Sequence, residues 1–220
     1  DSTDFSTGIQ EAIFSGIEKT FQSSGVNILF PAESLYDTLY LDTKVDKNKI
    51  QVSNDLIPLK KPITVTFRPN TAIISPDKTA VYNHDRKFLG GTWRNGSVTF
   101  KTDILGDFQV LSDTIPPRAT LVNKTKDGFS FHVSDNLSGI KSFRATVNGK
   151  FVLCDYEYKK SLIWSVKSDS TQTFVGNLAL ELTDNQGNSK TYTALIDSAK
   201  VIAKPVKSGV KNLSKKNRNK

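Results

Sequence analysis

The sequence is poor in the residues from which most enzyme and metal centres are built. It has one cysteine, no methionine and two histidines in 220 residues. A single Cys excludes an internal disulfide framework and every multi-cysteine metal site. His84 and His132 belong to no HxH or HExxH pattern. They therefore do not signal a zinc hydrolase, which takes about three N or O ligands plus an open position. There is no GxSxG and no Gly-rich phosphate loop. No run approaches the ~18 to 20 apolar residues that a membrane-spanning helix needs. The first residue is Asp1 and not Met, which predicts a processed product or an excised piece.

What is present is ordinary globular composition with an uneven charge. Hydrophobic residues make up 37% of the chain, enough for one sizeable core or two small ones. Eight basic residues and no acidic ones lie between Ala199 and Lys220, and they equal the whole formal excess of +8. Residues 1–198 are thus formally neutral. A nucleic-acid-binding domain carries its positive charge on a folded face, so no specific nucleic-acid contact is expected. Residues 198–220 are expected to form a flexible basic tail. Such a tail serves either solubility or weak adhesion to an anionic surface.

Short β-branched and aromatic runs recur between turn residues. In the first half they are Val26–Phe30, Tyr36–Asp42, Ile63–Phe67, Thr71–Ser75, Thr79–Asn83, Ser97–Lys101 and Phe108–Ser112. In the second they are Ala119–Asn123, Phe129–Ser134, Ile140–Asn148, Lys150–Cys154, Leu162–Val166, Leu178–Leu182 and Lys190–Ile196. Several alternate apolar with polar, which places one face on a core and the other in water. Asn95-Gly96 and Asn148-Gly149 predict tight hairpins, because a type I′ turn needs positive φ at both central residues. Asp113-Thr-Ile-Pro-Pro117 reads as a stiff extended connector, since two prolines cannot donate to a ladder.

The pattern predicts an all-β chain of two tandem antiparallel Ig-like β-sandwiches, at 26–112 and 113–197. Residues 1–25 are ambiguous. Phe5, Ile9, Ile13, Ile17 and Phe21 recur every four residues, as on one stripe of a helix. Gly8, Gly16 and Ser23-Ser-Gly25 argue instead for an extended strand, a linker or the remnant of a preceding domain.

Few residues offer chemistry. His132 is expected on the solvent side of its strand, and His84 in a polar turn. Cys154 follows Phe151-Val-Leu153 and reads as a partly buried thiol with no base beside it. Gly90-Gly91 reads as a bulge or tight turn. Two acidic motifs stand out, Val133-Ser-Asp-Asn-Leu-Ser-Gly-Ile140 and Leu182-Thr-Asp-Asn-Gln-Gly-Asn-Ser189. Their Asx residues either cap tight turns or, through Asp135, Asp184 and loop carbonyls, supply hard oxygen donors to calcium. Trp93, Tyr156, Tyr158 and Trp164 are the candidate binding aromatics. Core or cross-strand packing is the competing role.

The stretches Asp113-Thr-Ile-Pro-Pro117, Asp135-Asn-Leu-Ser-Gly-Ile-Lys-Ser-Phe-Arg144, Asn148-Gly-Lys-Phe151 and Leu182-Thr-Asp-Asn-Gln-Gly-Asn188 look like an Ig-like β-sandwich. They resemble the C-terminal region of secreted Gram-negative homologues of lysostaphin-type zinc metallopeptidases, which cut peptidoglycan cross-links. Phe30-Pro-Ala-Glu-Ser-Leu-Tyr-Asp-Thr-Leu-Tyr40, Leu89-Gly-Gly-Thr-Trp93 and Lys101-Thr-Asp-Ile-Leu-Gly-Asp-Phe108 resemble the same region. The family's catalytic ligands are a His…Asp pair and an HxH motif. This chain has no HxH, so no catalytic residue is carried over and zinc would belong only to an absent catalytic domain. The resemblance implies a non-catalytic accessory region of a cell-wall peptidase in the periplasm or outside the cell, with peptidoglycan or the parent peptidase domain as partner. The alternative is a stand-alone Ig-like surface adhesion or carbohydrate-binding module.

Overall fold

The computed structural model describes residues 8–198. The expected basic tail lies, from residue 199 on, outside the described residues, as does Phe5. The first unit contains twelve strands: β1 Glu11–Ile13, β2 Lys19–Ser23, β3 Val26–Phe30, β4 Leu39–Leu41, β5 Thr43–Asp46, β6 Lys49–Val52, β7 Ile63–Phe67, β8 Thr79–Asn83, β9 Phe88–Gly90, β10 Thr92–Arg94, β11 Ser97–Thr102 and β12 Gly106–Ser112. The second contains eight: β13 Arg118–Thr125, β14 Gly128–Ser134, β15 Ile140–Val147, β16 Lys150–Val152, β17 Cys154–Glu157, β18 Leu162–Ser165, β19 Gly176–Asp184 and β20 Ser189–Ile196. The chain is all-β, as the alternation predicts.

Two five-stranded sheets, ordered β10-β11-β7-β3-β2 and β5-β6-β12-β8-β9, carry the first core, with β1-β4 as a separate pair. Ile28, Val65, Phe67, Val98 and Phe100 come from one sheet, and Ile50, Val52, Val81, Phe108 and Val110 from the other. The second unit packs β13-β14-β18-β17 with β16-β15-β19-β20. Its core holds Phe129, Phe131, Ile163, Leu178, Leu180 and Leu182. The two cores share no residue. The extended stretch Asp113–Pro117 joins them.

Local chemistry sets the turns. Asn95 and Gly96 have φ of 50° and 79°, and Asn148 and Gly149 have 51° and 76°, the two positive values that a type I′ turn requires. Gly91 lies between β9 and β10, next to the register shift at which Gly90 and Phe88 pair with Val81 and Tyr82. It has φ of 138°, and a Cβ there would stand 2.8 Å from Val98 Cγ2. Only glycine fits this close approach.

Two expectations are corrected, and the ambiguity over the first residues is resolved toward strand. No helix forms over residues 8–25. Residues 11–23 contribute β1 and β2, so the first domain begins near residue 11 and not at 26. Ile13 and Phe21 enter the core, whereas Ile9 and Ile17 remain exposed. A spacing of four fits one face of a strand as well as a helical stripe, because side chains repeat every two residues there. Gln10 ties this segment down further. Its side chain donates to the Thr43 carbonyl and accepts from the Thr43 N–H, each at 3.0 Å. Thr71–Ser75 is not a strand, and Ile74 is 96% exposed. The strands β5 and β6 were masked in the sequence by charged outer faces and a Lys47-Asn48 turn without glycine.

Candidate functional site

Strand β8 is buried at every residue, Thr79 to Asn83. A sandwich strand normally wets one face, so its second face must be covered by something outside the sandwich. Val81 points into the first core, while Ala80 and Tyr82 point away from it. The cover comes from the other domain. Lys78 Nζ donates to the Gln186 carbonyl at 3.0 Å, and Asn185 and Gln186 line a cleft with Thr79, Ala80, Phe88 and Trp93.

At this junction three carboxylates converge. Asp113, Asp135 and Asp184 each place one oxygen within 4.8 Å of the others. Asp113 begins the connector and is 1% exposed, and Asp184 at the end of β19 is 0% exposed. Asp135 follows β14 and is partly buried. Backbone amides hold all three in place. Asp113 accepts from Ile115 N at 3.2 Å and from Ser138 N at 2.9 Å. Asp135 Oδ2 accepts from Leu137 N at 3.0 Å and Gly139 N at 2.8 Å. Asp184 Oδ1 accepts from Gln186 N at 2.9 Å and Asn188 N at 2.8 Å. Asn188 Nδ2 then bridges Asp184 Oδ2 at 2.8 Å and the Asp113 carbonyl at 3.0 Å. These are the Asx turns expected from the two acidic motifs, so the capping role is realised at Asp135 and Asp184.

The cluster also has polar atoms with nothing to bond. Tyr82 Oη, Ser138 Oγ, Asp135 Oδ1 and Gln186 Nε2 are buried without a hydrogen-bond partner among the described residues. Tyr82 is 0% exposed and Ser138 2%. The Tyr82 hydroxyl is pushed well above the usual phenol range, first by burial and then by the negative charges of Asp113, Asp135 and Asp184. The Gln186 side chain is near enough to offset part of this rise, yet neither atom closes a hydrogen bond with the other. Among the described residues, no Lys, Arg or His forms an ion pair with any of the three carboxylates. The cluster has no nitrogen or sulfur donor, which is not the set that a catalytic zinc takes.

The candidate aromatics do not form one platform. Trp93 packs against the first core and donates its indole N–H to the Thr79 carbonyl at 2.7 Å. It also borders an open cleft of about 480 Å³ with Arg68, Asn70, Ile73, Arg94 and Asn95. Tyr156 lies on the core side of β17, edge-on to Phe143 at 5.9 Å. Trp164 pairs with Asp155 and Ser130, so it lies on the opposite face of that sheet. Tyr158 stands in a single 3₁₀ turn and is 80% exposed.

His132 is exposed on β14, and His84 sits in a turn beside Asp85 at 3.2 Å. They lie in different domains. Burial, reinforced by Asp155, pushes the Cys154 thiol up to about 12, so it is not a nucleophile at neutral pH. The sequence singled out Asp135 and Asp184 but not Asp113 or Tyr82. Asp113 was legible only as the start of a connector, and Tyr82 only as a strand residue.

Residues 13–113 match the family model described as a Zu5-like domain. The match runs from the end of β1 to Asp113, where the first core ends. No curated protein matches the chain. The first domain is thus similar to a Zu5-like domain.

Proposed function

We propose that the chain is a non-catalytic, two-domain positioning module of a cell-envelope protein, an accessory region of a peptidoglycan metallopeptidase that holds the enzyme or contacts the wall. The observation that carries this reading is the bonded junction. The Lys78–Gln186 hydrogen bond and the buried outer face of β8 hold one domain against the other, and Asn188 and Ser138 tie Asp113 of the connector to the second domain. A jointed pair held this way sets the distance and direction between whatever lies at its two ends. The resemblance of residues 26–196 to the accessory region of lysostaphin-type homologues supports the peptidase link and the envelope location.

Wall contact would fall to the cleft around Trp93. Arg68 and Arg94 offer fixed positive charge to carboxylates of the peptide stem, and the indole offers an apolar face to a sugar ring. The test is co-sedimentation of the chain with purified peptidoglycan. Pelleting that is lost in Trp93→Ala and weakened by salt in the wild type is the expected result. Absence of pelleting refutes wall contact and leaves support of the peptidase domain. The same cleft favours a second reading, a stand-alone carbohydrate-binding or adhesion module. A glycan array with one clear hit on a non-wall sugar would select it.

A further inference from the structure

We propose that Asp113, Asp135 and Asp184 together hold one calcium ion, which locks the second domain onto the first. The inference goes beyond the positioning role and does not depend on which wall or enzyme is contacted.

Three carboxylates within 4.8 Å repel one another, and no cationic side chain among the described residues pairs with them. Burial makes that repulsion harder to screen. A bound divalent cation removes it. The spacing fits: oxygens bound to one ion at about 2.4 Å lie at most about 4.8 Å apart. The donor set is oxygen only and irregular, which suits calcium better than zinc or the strict octahedron of magnesium.

The unpartnered atoms are the independent sign that something else is accommodated here. Asp135 Oδ1 has no hydrogen bond, while its other oxygen accepts two. Ser138 already holds Asp113 through its N–H, yet its own buried hydroxyl is unpaired. The Tyr82 hydroxyl is fully buried, has no hydrogen-bond partner among the described residues and feels the charge of all three carboxylates. Native proteins rarely leave several such groups at one spot without a ligand. Asp135 is the least buried of the three acids, so an ion enters on its side.

The ligands come from separate parts of the fold. Asp113 begins the connector after β12, and Asp135 and Asp184 lie at two loops of the second domain. The ion therefore bridges the connector to the second domain, and Tyr82 brings β8 against the same point.

The test is calorimetric titration of the full chain with calcium chloride after chelator treatment, together with melting curves. One calcium site is expected, with a Tm rise of about 5–10 °C at a concentration near 100 Kd. Asp135→Asn keeps the shape and the acceptor toward Leu137 and Gly139, and it is expected to weaken binding more than tenfold. Terbium adds a readout that needs no carboxylate variant. Its emission, excited through tyrosine, is expected to fall in Tyr82→Phe and to be displaced by calcium in the wild type. No heat and no Tm rise at millimolar calcium would overturn the proposal. So would unchanged affinity in Asp135→Asn, or an equal response to magnesium.

Discussion

Replacing Tyr82 by Phe removes one oxygen from a fully buried site where that oxygen has no partner. In calcium-free solution this is expected to stabilise the first domain. The ring stays, and so does its edge-to-face packing on Phe88 at 5.6 Å. What goes is a buried hydroxyl with no hydrogen-bond partner among the described residues. Leaving such a group unsatisfied costs about 1–3 kcal/mol. The low end applies, because the Gln186 amide lies close enough to compensate in part. A gain of about 1 kcal/mol corresponds to about 4–8 °C in the melting of a domain near one hundred residues. Scanning calorimetry of wild type and Tyr82→Phe in chelator measures it directly. A fall in Tm of similar size would refute the reasoning. It would mean that the hydroxyl has a bonding partner in solution, the ordinary state of a buried tyrosine.

Four further outcomes follow from the same structure. Phe131→Ala is expected to cost the second domain about 3–5 kcal/mol. Because the two cores share no residue, the first domain's calorimetric transition should remain, and loss of both transitions would contradict separate cores. Asn148→Ala loses the contacts to Asn177 N at 2.8 Å and Val175 O at 3.0 Å and puts alanine at φ 51°. A loss of about 1–3 kcal/mol by urea unfolding is expected, and under about 0.5 kcal/mol would refute the clamp. Gly91→Ala is expected to destabilise the first domain, with partial rescue by Val98→Ala, since the added Cβ meets Val98 Cγ2 at 2.8 Å. The Cys154 thiol, raised from 9.0 to about 12, keeps its proton in the folded state after the unfolded chain has lost it. Its stability contribution is therefore present below about pH 9 and declines between about pH 9 and 12. Urea midpoints across that range should fall more steeply in wild type than in Cys154→Ser, and parallel curves would refute this.

The packing gives a reason why buried polar groups gather at the junction and not inside either sandwich. Within each sandwich the apolar side chains meet inward and the hydrogen-bonded ladders satisfy the backbone. At the junction, polar loops from one domain cover the outer face of a strand from the other. The polar groups left without partners there are the Tyr82 and Ser138 hydroxyls, one Asp135 oxygen and the Gln186 amide nitrogen.

Much of the fold was legible locally. Val26–Phe30, Ile63–Phe67 and Thr79–Asn83 are strands with the bounds that alternation and β-branching suggested. The two Asn-Gly hairpins follow from the φ values those residues tolerate. The Asp-Asn loops could be read as Asx turns, because an Asx side chain bonds to backbone only two to four residues away. What failed locally were positions where two periods coincide, as in the spacing of four over residues 9–21, or where neighbours alone choose the outcome, as at exposed Ile74. The acidic cluster belongs to the second class. Asp113, Asp135, Asp184 and Tyr82 lie far apart in the chain, and no period or spacing links them. Asp135 and Asp184 meet because β15 pairs with β19, which sets Ile140 opposite Asp184, whereas Asp113 and Tyr82 join them through the placement of one core against the other. Only the tertiary structure decides that, because burial and charge act through distance in space and not through order along the chain.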